Sequence, residues 1–183
     1  MLNESMEQNR KRDLSDLELK LGYKFQDILL LDAALRHSSY VNEPVGMNNQ
    51  SNERLEFLGD AVLELVVTLV LFQNYPQGSE GQLNMARSGL VKEASLAGTA
   101  RNLGLGEYLL LGRGEETQNG RDKTRILADA LEAVLAAVFL DGGIEAASLL
   151  VKRIMRALPE ETLLQAPNQC YKTRLWEREG GAV

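Results

Sequence analysis

Several residue types are scarce in this chain of 183 residues, and each scarcity excludes a class of protein. The single cysteine, Cys170, cannot form an intramolecular disulfide, so a disulfide-stabilised secreted scaffold is excluded and a reducing cytoplasm is expected. The single histidine, His37, excludes a metal centre built from several histidines. Aromatic residues make up 5% of the sequence and prolines number four, a composition that favours helices over a β-sandwich.

Long apolar runs are scarce too. The longest, at residues 65–72 and 133–140, are well short of the ~20 residues that a helix needs to cross a bilayer. Residues 1–20 carry charges throughout and have no apolar core of the kind found in secretory signals. We therefore expect a soluble, cytoplasmic protein with no membrane partner, and its length fits one domain.

Basic residues are outnumbered by acidic ones, 20 against 26, which gives a net charge of −6. A protein that binds nucleic acid through charge alone is expected to be basic, so this balance argues mildly against that class. Acidic residues gathered in a metal site would produce the same balance. The net charge alone therefore leaves both possibilities open.

Leucines and other apolar residues recur at steps of three and four, which predicts an all-α bundle of about six to eight helices. One predicted helix follows Ser51 or Asn52, either of which is a good N-cap, and ends before Pro76. Its apolar stripe, which we expect to be buried, consists of Leu55, Leu58, Val62, Leu65 and Leu69. Another helix contains residues 127–138 and is expected to end at the two glycines 142–143.

Three carboxylates share one face of the first of these helices. Glu53, Glu56 and Asp60 stand at positions i, i+3 and i+7, beside the apolar stripe. At the edge of a core these like charges repel one another unless a cation compensates them. Taken alone, they are explained more simply as a solvated face whose acids complement the positive end of the helix.

A second acidic pair, Asp129 and Glu132, lies in a helix that carries no other charge between residues 126 and 140. Burying a lone carboxylate costs several kcal/mol unless the group is paired or binds a metal, and Arg125 is the nearest cation. Small neighbours would let another helix approach closely: Ala130, Ala133, Ala136 and Ala137.

If the pair Glu56 and Asp60 faced the pair Asp129 and Glu132 across such a contact, the result would be a site with only oxygen ligands. Such a site selects Mg²⁺ or Mn²⁺. Spacing alone leaves a divalent-metal site and ordinary structural acids evenly balanced.

Residues 52–60, NERLEFLGD, resemble the signature of ribonuclease III, and residues 126–142, ILADALEAVLAAVFLDG, resemble that family's second block. Further similar segments are ALRHSSY at 34–40, EGQL at 80–83 with Arg87, GLG at 104–106 and LG at 111–112. The resemblance covers about residues 14–158, and both acidic blocks occur in the family's order.

This resemblance implies an all-α endonuclease bundle that cuts double-stranded RNA with Mg²⁺, for which Mn²⁺ can substitute. The implied metal ligands are Glu56, Asp60, Asp129 and Glu132. Of these, Asp60 and Glu132 match the pair usually called catalytic, and Glu53 matches an accessory acid of the signature.

The resemblance also implies a homodimer in which Phe57 lies at the subunit interface. From the sequence alone, Phe57 is interpreted simply as a core phenylalanine. A two-fold dimer would place one site on each strand of a duplex, which implies staggered cleavage.

The implied reaction is hydrolysis by a metal-bound water, assisted by a second metal ion if one is present, with 5′-phosphate and 3′-hydroxyl products. The expected role is processing of ribosomal and other structured RNA precursors. No covalent nucleophile is predicted, because His37 has no recognisable triad and is expected to be a structural, hydrogen-bonded residue. Basic residues beside the loop 114–120 are equally consistent with phosphate contacts and with solvated surface: Arg113, Arg121, Lys123 and Arg125.

The predicted organisation is a flexible N-terminus at 1–13, the nuclease domain at 14–158 and a linker at 159–169. Residues 171–177 resemble the opening of a double-stranded-RNA-binding domain, so 170–183 is expected to be an incomplete start of one. We therefore expect cleavage to weaken steeply as salt rises, since phosphate contacts dominate affinity for nucleic acids. Two alternatives stay open, an all-α Mg²⁺-dependent nucleotide pyrophosphohydrolase and a non-catalytic dimeric RNA-binding module.

Overall fold

The computed structural model describes residues 2–44 and 50–156. The predicted linker, the C-terminal segment and Cys170 lie outside these residues. The helices, in chain order, are α1 (Leu2–Leu21), α2 (Ile28–Ala34), α3 (Ser38–Val41), α4 (Glu53–Asn74), α5 (Glu80–Val91), α6 (Glu93–Asn102), α7 (Arg113–Thr117) and α8 (Thr124–Arg156), with 3₁₀ turns at Leu105–Tyr108 and Gly120–Asp122. Over the described ranges no strand forms, and the all-α prediction is confirmed.

Helix α1 begins earlier than the leucine spacing indicates. Leu14, Leu17 and Leu21 are buried at the predicted period, but the helix already starts at Leu2. Arg10 fixes its first half: Nε donates to Asp32 Oδ1 at 2.7 Å, and Nη1 donates to the Tyr108 carbonyl at 2.7 Å. These contacts couple a polar stretch to the bundle, which apolar periodicity cannot reveal.

Helices α4 and α8 form the centre of the bundle. The buried face of α4 is rich in valine and includes Val62, Val66, Val67 and Val70, each of which adds about 1.5–3 kcal/mol of hydrophobic stabilisation when fully buried. The predicted leucine stripe is wrong in its second half, since Leu65 and Leu69 are exposed. The four valines belong to the hydrophobic core to which α8 also contributes, whereas these two leucines are exposed to solvent.

Helix α8 is divided at Gly143, whose φ of 75° lies in the left-handed region that glycine tolerates. The interruption falls where the sequence predicts a helix end, and a second helical arm continues to Arg156. By length and composition alone, Thr124–Ile154 could cross a membrane. Packing against α2, α4 and α6 makes it the core helix of the bundle, and core helices of soluble proteins share those properties.

The start of α4 is anchored differently from the expectation. Asn52 occupies the N-cap position, but its side chain makes no capping hydrogen bond. Instead Nδ2 donates to the Ala34 carbonyl at 3.1 Å, and its backbone N–H donates to the Arg36 carbonyl at 2.8 Å. The first turn of α4, which carries two predicted site acids, is therefore fixed against the end of α2.

Candidate metal centre

The predicted acids meet where α4 crosses α8. At this crossing Gly59 is buried, and a Cβ atom placed on it would lie 1.9 Å from the Glu132 carbonyl oxygen. Only glycine allows the two backbones to come so close. The sequence prediction named the alanines of α8 as the cause of the close approach and did not include Gly59. A glycine in the middle of a long, largely apolar helix is a sequence feature that could have indicated it.

Three of the four predicted ligands form one cluster. Carboxylate oxygens of Glu56, Asp129 and Glu132 all lie within 4.8 Å of one another, and the three residues are partly buried. Asp60, one turn beyond Glu56, is exposed and lies outside this trio. The structure thus brings α4 and α8 acids together as the spacing predicts, while their role as metal ligands stays a prediction.

Burial and mutual repulsion raise the pKa values of the cluster. Burial, followed by the charges of Asp60, Asp129 and Glu56, raises the pKa of Glu132 to about 8. Burial and then Asp129 raise the pKa of Glu56. Asp60 therefore acts on the cluster electrostatically even though it lies outside the trio.

Burial likewise raises the pKa of Asp129, and Arg125 opposes that shift. A group of partly buried oxygens with more negative charge than nearby cations neutralise fits a hard divalent ion. The residues that would hold such an ion are Glu56, Asp129 and Glu132, with the exposed Asp60 one turn beyond Glu56. The residues present therefore fit the metal that the sequence predicts.

Two acids of the cluster, Glu56 and Asp129, line a cavity of about 370 Å³. Its walls include the acids Glu53, Glu56 and Asp129 and the cations Lys123 and Arg125. Glu53 is exposed at the start of α4 and accepts a hydrogen bond from Ser51 Oγ at 2.6 Å. The accessory acid Glu53 thus lines the cavity but lies outside the trio. The cavity is large enough for a phosphate group.

The histidine has a structural role, as expected. His37 N-caps α3: its Nδ1 accepts the Ser39 backbone N–H at 3.2 Å and lies 2.8 Å from Ser39 Oγ. That hydroxyl in turn accepts the Gly112 N–H at 2.9 Å. His37 also lines the cavity, and the network connects the start of α3 to Gly112, which precedes α7.

The basic residues near loop 114–120 differ in availability. Nη1 of Arg121 donates to the carbonyls of Gly106, Glu107 and Leu109 at 2.8, 3.2 and 3.0 Å, and its Nη2 pairs with Glu116. The guanidinium therefore braces the 3₁₀ turn and is not free for RNA.

Two other basic residues border the cavity directly. Lys123 pairs with Glu115. Arg125 has an 81% exposed side chain, and its Nε lies 3.6 Å from Asp129 Oδ2. Of these two, only Arg125 contacts an acid of the cluster.

Phe57 is 83% exposed, so its interpretation as a core phenylalanine is wrong. The preceding residue Glu56 faces the cluster, and a step of one residue turns the next side chain by about 100° around the helix, out of the bundle. Leu65, Leu69 and Phe72 follow on the exposed side of α4. We call these four residues the exposed apolar face of α4.

Comparison with known proteins gives concordant results. A family model described as Ribonuclease-III-like matches residues 27–158. Ribonuclease 3 of Clostridium tetani is 45% identical over 174 residues, covering 92% of this chain and 71% of the relative. Ribonuclease 3 of Caldanaerobacter subterraneus subsp. tengcongensis is 48% identical over 165 residues, covering 90% and 72%.

Solved structures show the same fold. The chain is similar to a crystal structure of the nuclease domain of ribonuclease III from Campylobacter jejuni, with a TM-score of 0.71 and 42% identity over 78% of this chain and 92% of that one. A second structure of that domain has a TM-score of 0.72, again with 42% identity, and covers 77% and 94%. Its description concerns flexibility in a region involved in dimer formation.

Proposed function

This chain belongs to the ribonuclease III family and is an endoribonuclease, and on that premise we propose that it cuts double-stranded RNA at the α4–α8 carboxylate cluster in a reaction that requires Mg²⁺. Mn²⁺ substitutes for Mg²⁺, and the products carry 5′-phosphate and 3′-hydroxyl ends. The observation that carries this proposal is the cluster of Glu56, Asp129 and Glu132 oxygens within 4.8 Å of one another.

The side chains divide the work by their positions. Glu56, Asp129 and Glu132, which are partly buried, would bind the ion, and the exposed Asp60 would act on them through its charge. A divalent ion held by these residues would supply a water of lowered pKa and would polarise the scissile phosphate. Glu132 must give up a proton to become a ligand, because its pKa is raised to about 8 in the metal-free site.

The proposed active form is a homodimer joined through the exposed apolar face of α4. Phe57 is 83% exposed and Phe72 is 69% exposed. Several large apolar side chains exposed on one side of a helix indicate an interaction surface, whereas apolar residues scattered singly do not. A two-fold axis through this face would give each strand of a duplex its own carboxylate cluster and produce staggered cuts. We place the enzyme in the cytoplasm, where ribosomal and other structured RNA precursors are its substrates.

The decisive experiment compares the wild type with Glu132→Gln on a long RNA duplex, with and without Mg²⁺. The matched control is Glu145→Gln, which removes an exposed acid from the same helix α8, beyond Gly143. We expect Glu132→Gln to lower the cleavage rate by about 100-fold or more at unchanged helicity, and Glu145→Gln to cut normally. Cleavage by Glu132→Gln at the wild-type rate, or wild-type cleavage without a divalent ion, would refute the proposal.

A further inference from the structure

One cation stands at the entrance of the carboxylate cluster. Arg125 lies in the first turn of α8, four residues before Asp129, and its Nε lies 3.6 Å from Asp129 Oδ2. Asp129 is only 26% exposed, whereas the Arg125 side chain is 81% exposed. The guanidinium therefore approaches the partly buried acid from the solvent side.

The other cations nearby are occupied elsewhere. Lys123 pairs with Glu115, and Arg121 pairs with Glu116 while it donates to three backbone carbonyls. Only Arg125, of these three, forms its ion pair with a member of the cluster. Its charge also opposes the upward pKa shifts of Glu56 and Asp129.

An ion pair of this kind is easily exchanged. Exposed pairs are weak because water screens the attraction and the long side chain loses freedom in forming them. A divalent ion at the cluster would bind Asp129 more strongly and would repel the guanidinium. Arg125 would then extend into the cavity, where a guanidinium offers the planar donor fork that fits a phosphate.

We propose that Arg125 is an exchangeable counter-ion, which pairs with Asp129 in the metal-free enzyme and contacts a phosphate of the RNA once a divalent ion has taken that carboxylate. This role rests on the proposed metal centre. It assigns one residue two opposite effects: Arg125 weakens metal binding, and it strengthens binding of the substrate.

The test uses the full chain and the variant Arg125→Gln, with Arg12→Gln on the exposed side of α1 as a control for net charge. Mn²⁺ is titrated into RNA-free protein by calorimetry, and cleavage of an RNA duplex is followed at saturating Mg²⁺. For Arg125→Gln we expect the Kd for Mn²⁺ to fall about three- to tenfold and the KM for duplex to rise by a similar factor. The kcat should stay within about twofold, and Arg12→Gln should match the wild type in Kd.

A third variant, Arg125→Lys, keeps the charge and removes the donor fork. Its Kd for Mn²⁺ should stay near the wild-type value, while its KM should rise part of the way. Unchanged or weaker Mn²⁺ binding by Arg125→Gln, or an unchanged KM, overturns the proposal even if the metal centre stands. A wild type that binds no Mn²⁺ overturns the metal centre and this role with it, so the two failures are distinguishable.

Discussion

Two sides of helix α4 carry candidate functional residues, and within the described residues only the acidic side meets partner side chains from another helix. On the acidic side, Glu56 finds its partners Asp129 and Glu132 on α8, and Gly59 allows the approach. On the opposite side, the exposed apolar face ends in solvent, with Phe57 and Phe72 largely exposed.

In our proposal, one helix therefore has an intramolecular and an intermolecular function at adjacent positions. Glu56 and Phe57 are neighbours in sequence and belong to different sides. The acidic side depends on backbone proximity within the bundle, so it should respond to packing changes. The apolar face depends on a second copy in our proposal, so it should respond to protein concentration. Each prediction below disturbs one side at a time.

The largest expected effect is that of Gly59→Ala. In most helix interiors this change is stabilising, but here the new Cβ meets the Glu132 carbonyl oxygen at 1.9 Å. We expect a loss of about 3 kcal/mol in the free energy of unfolding, measured with urea, together with weaker Mn²⁺ binding. Gly98→Ala is the matched control, because nothing lies within 4 Å of its Cβ position in α6. That variant should be stabilised by about 0.5–1 kcal/mol, and equal effects in both variants would contradict the close approach.

The sequence predicted the position of the acids better than that of Phe57, and the difference has a physical reason. The i, i+3 spacing of Asp129 and Glu132 places them on one face of the helix. Because a charge in an apolar helix needs a partner, the sequence also predicts that these two acids meet other polar groups. Phe57 has the side chain of a core residue, and apolar character does not tell whether the residues that bury it belong to the same chain or to another. Side-chain character alone predicts a core position, whereas the family resemblance implied a subunit interface. The structure shows that the side chain is exposed.

Arg121 shows a second limit of sequence reasoning. Its charge suggests a phosphate contact, yet its guanidinium donates to three carbonyls of a turn that lies 12 to 15 residues earlier. Carbonyl acceptors are provided by every residue, so no residue pattern marks them. The polar start of α1 is similar, because Arg10 binds the Tyr108 carbonyl, 98 residues away.

The next effect concerns the apolar face. Phe57→Ala should weaken dimerisation by about 2 kcal/mol or more, because large aromatic side chains dominate the energy of protein interfaces. The folded monomer should keep its helicity and its Mn²⁺ affinity, since Phe57 contributes little to the core. Sedimentation velocity over a range of concentrations measures the change. Leu149→Ala, which removes a 69% exposed leucine from the second arm of α8, is the control and should dimerise normally. A Phe57→Ala dimer as tight as the wild type would place the interface elsewhere.

The smallest effect is a pH dependence that belongs to the acidic side alone. The pKa of Glu132 is raised from 4.5 to about 8 in the folded, metal-free protein, so folding favours the protonated carboxyl. Its contribution to stability is therefore complete below pH 4.5 and is lost as the pH rises through 8. Because the group is partly exposed, solvent screening reduces the change to about 1–2 kcal/mol.

Glu132→Gln should remove this pH-dependent contribution. The free energy of unfolding of the metal-free variant, measured with urea, should therefore rise relative to that of the wild type between pH 5 and 8. Phe57→Ala should retain the wild-type dependence of the free energy of unfolding on pH at a fixed monomer concentration, because the four residues of the exposed apolar face do not titrate. Mn²⁺ should reverse the trend in the wild type, since the ion displaces the Glu132 proton and binds more tightly as the pH approaches 8. A wild-type stability that rises over this range without metal would mean that Glu132 is charged in the folded protein, and that the cluster is less crowded than its geometry implies.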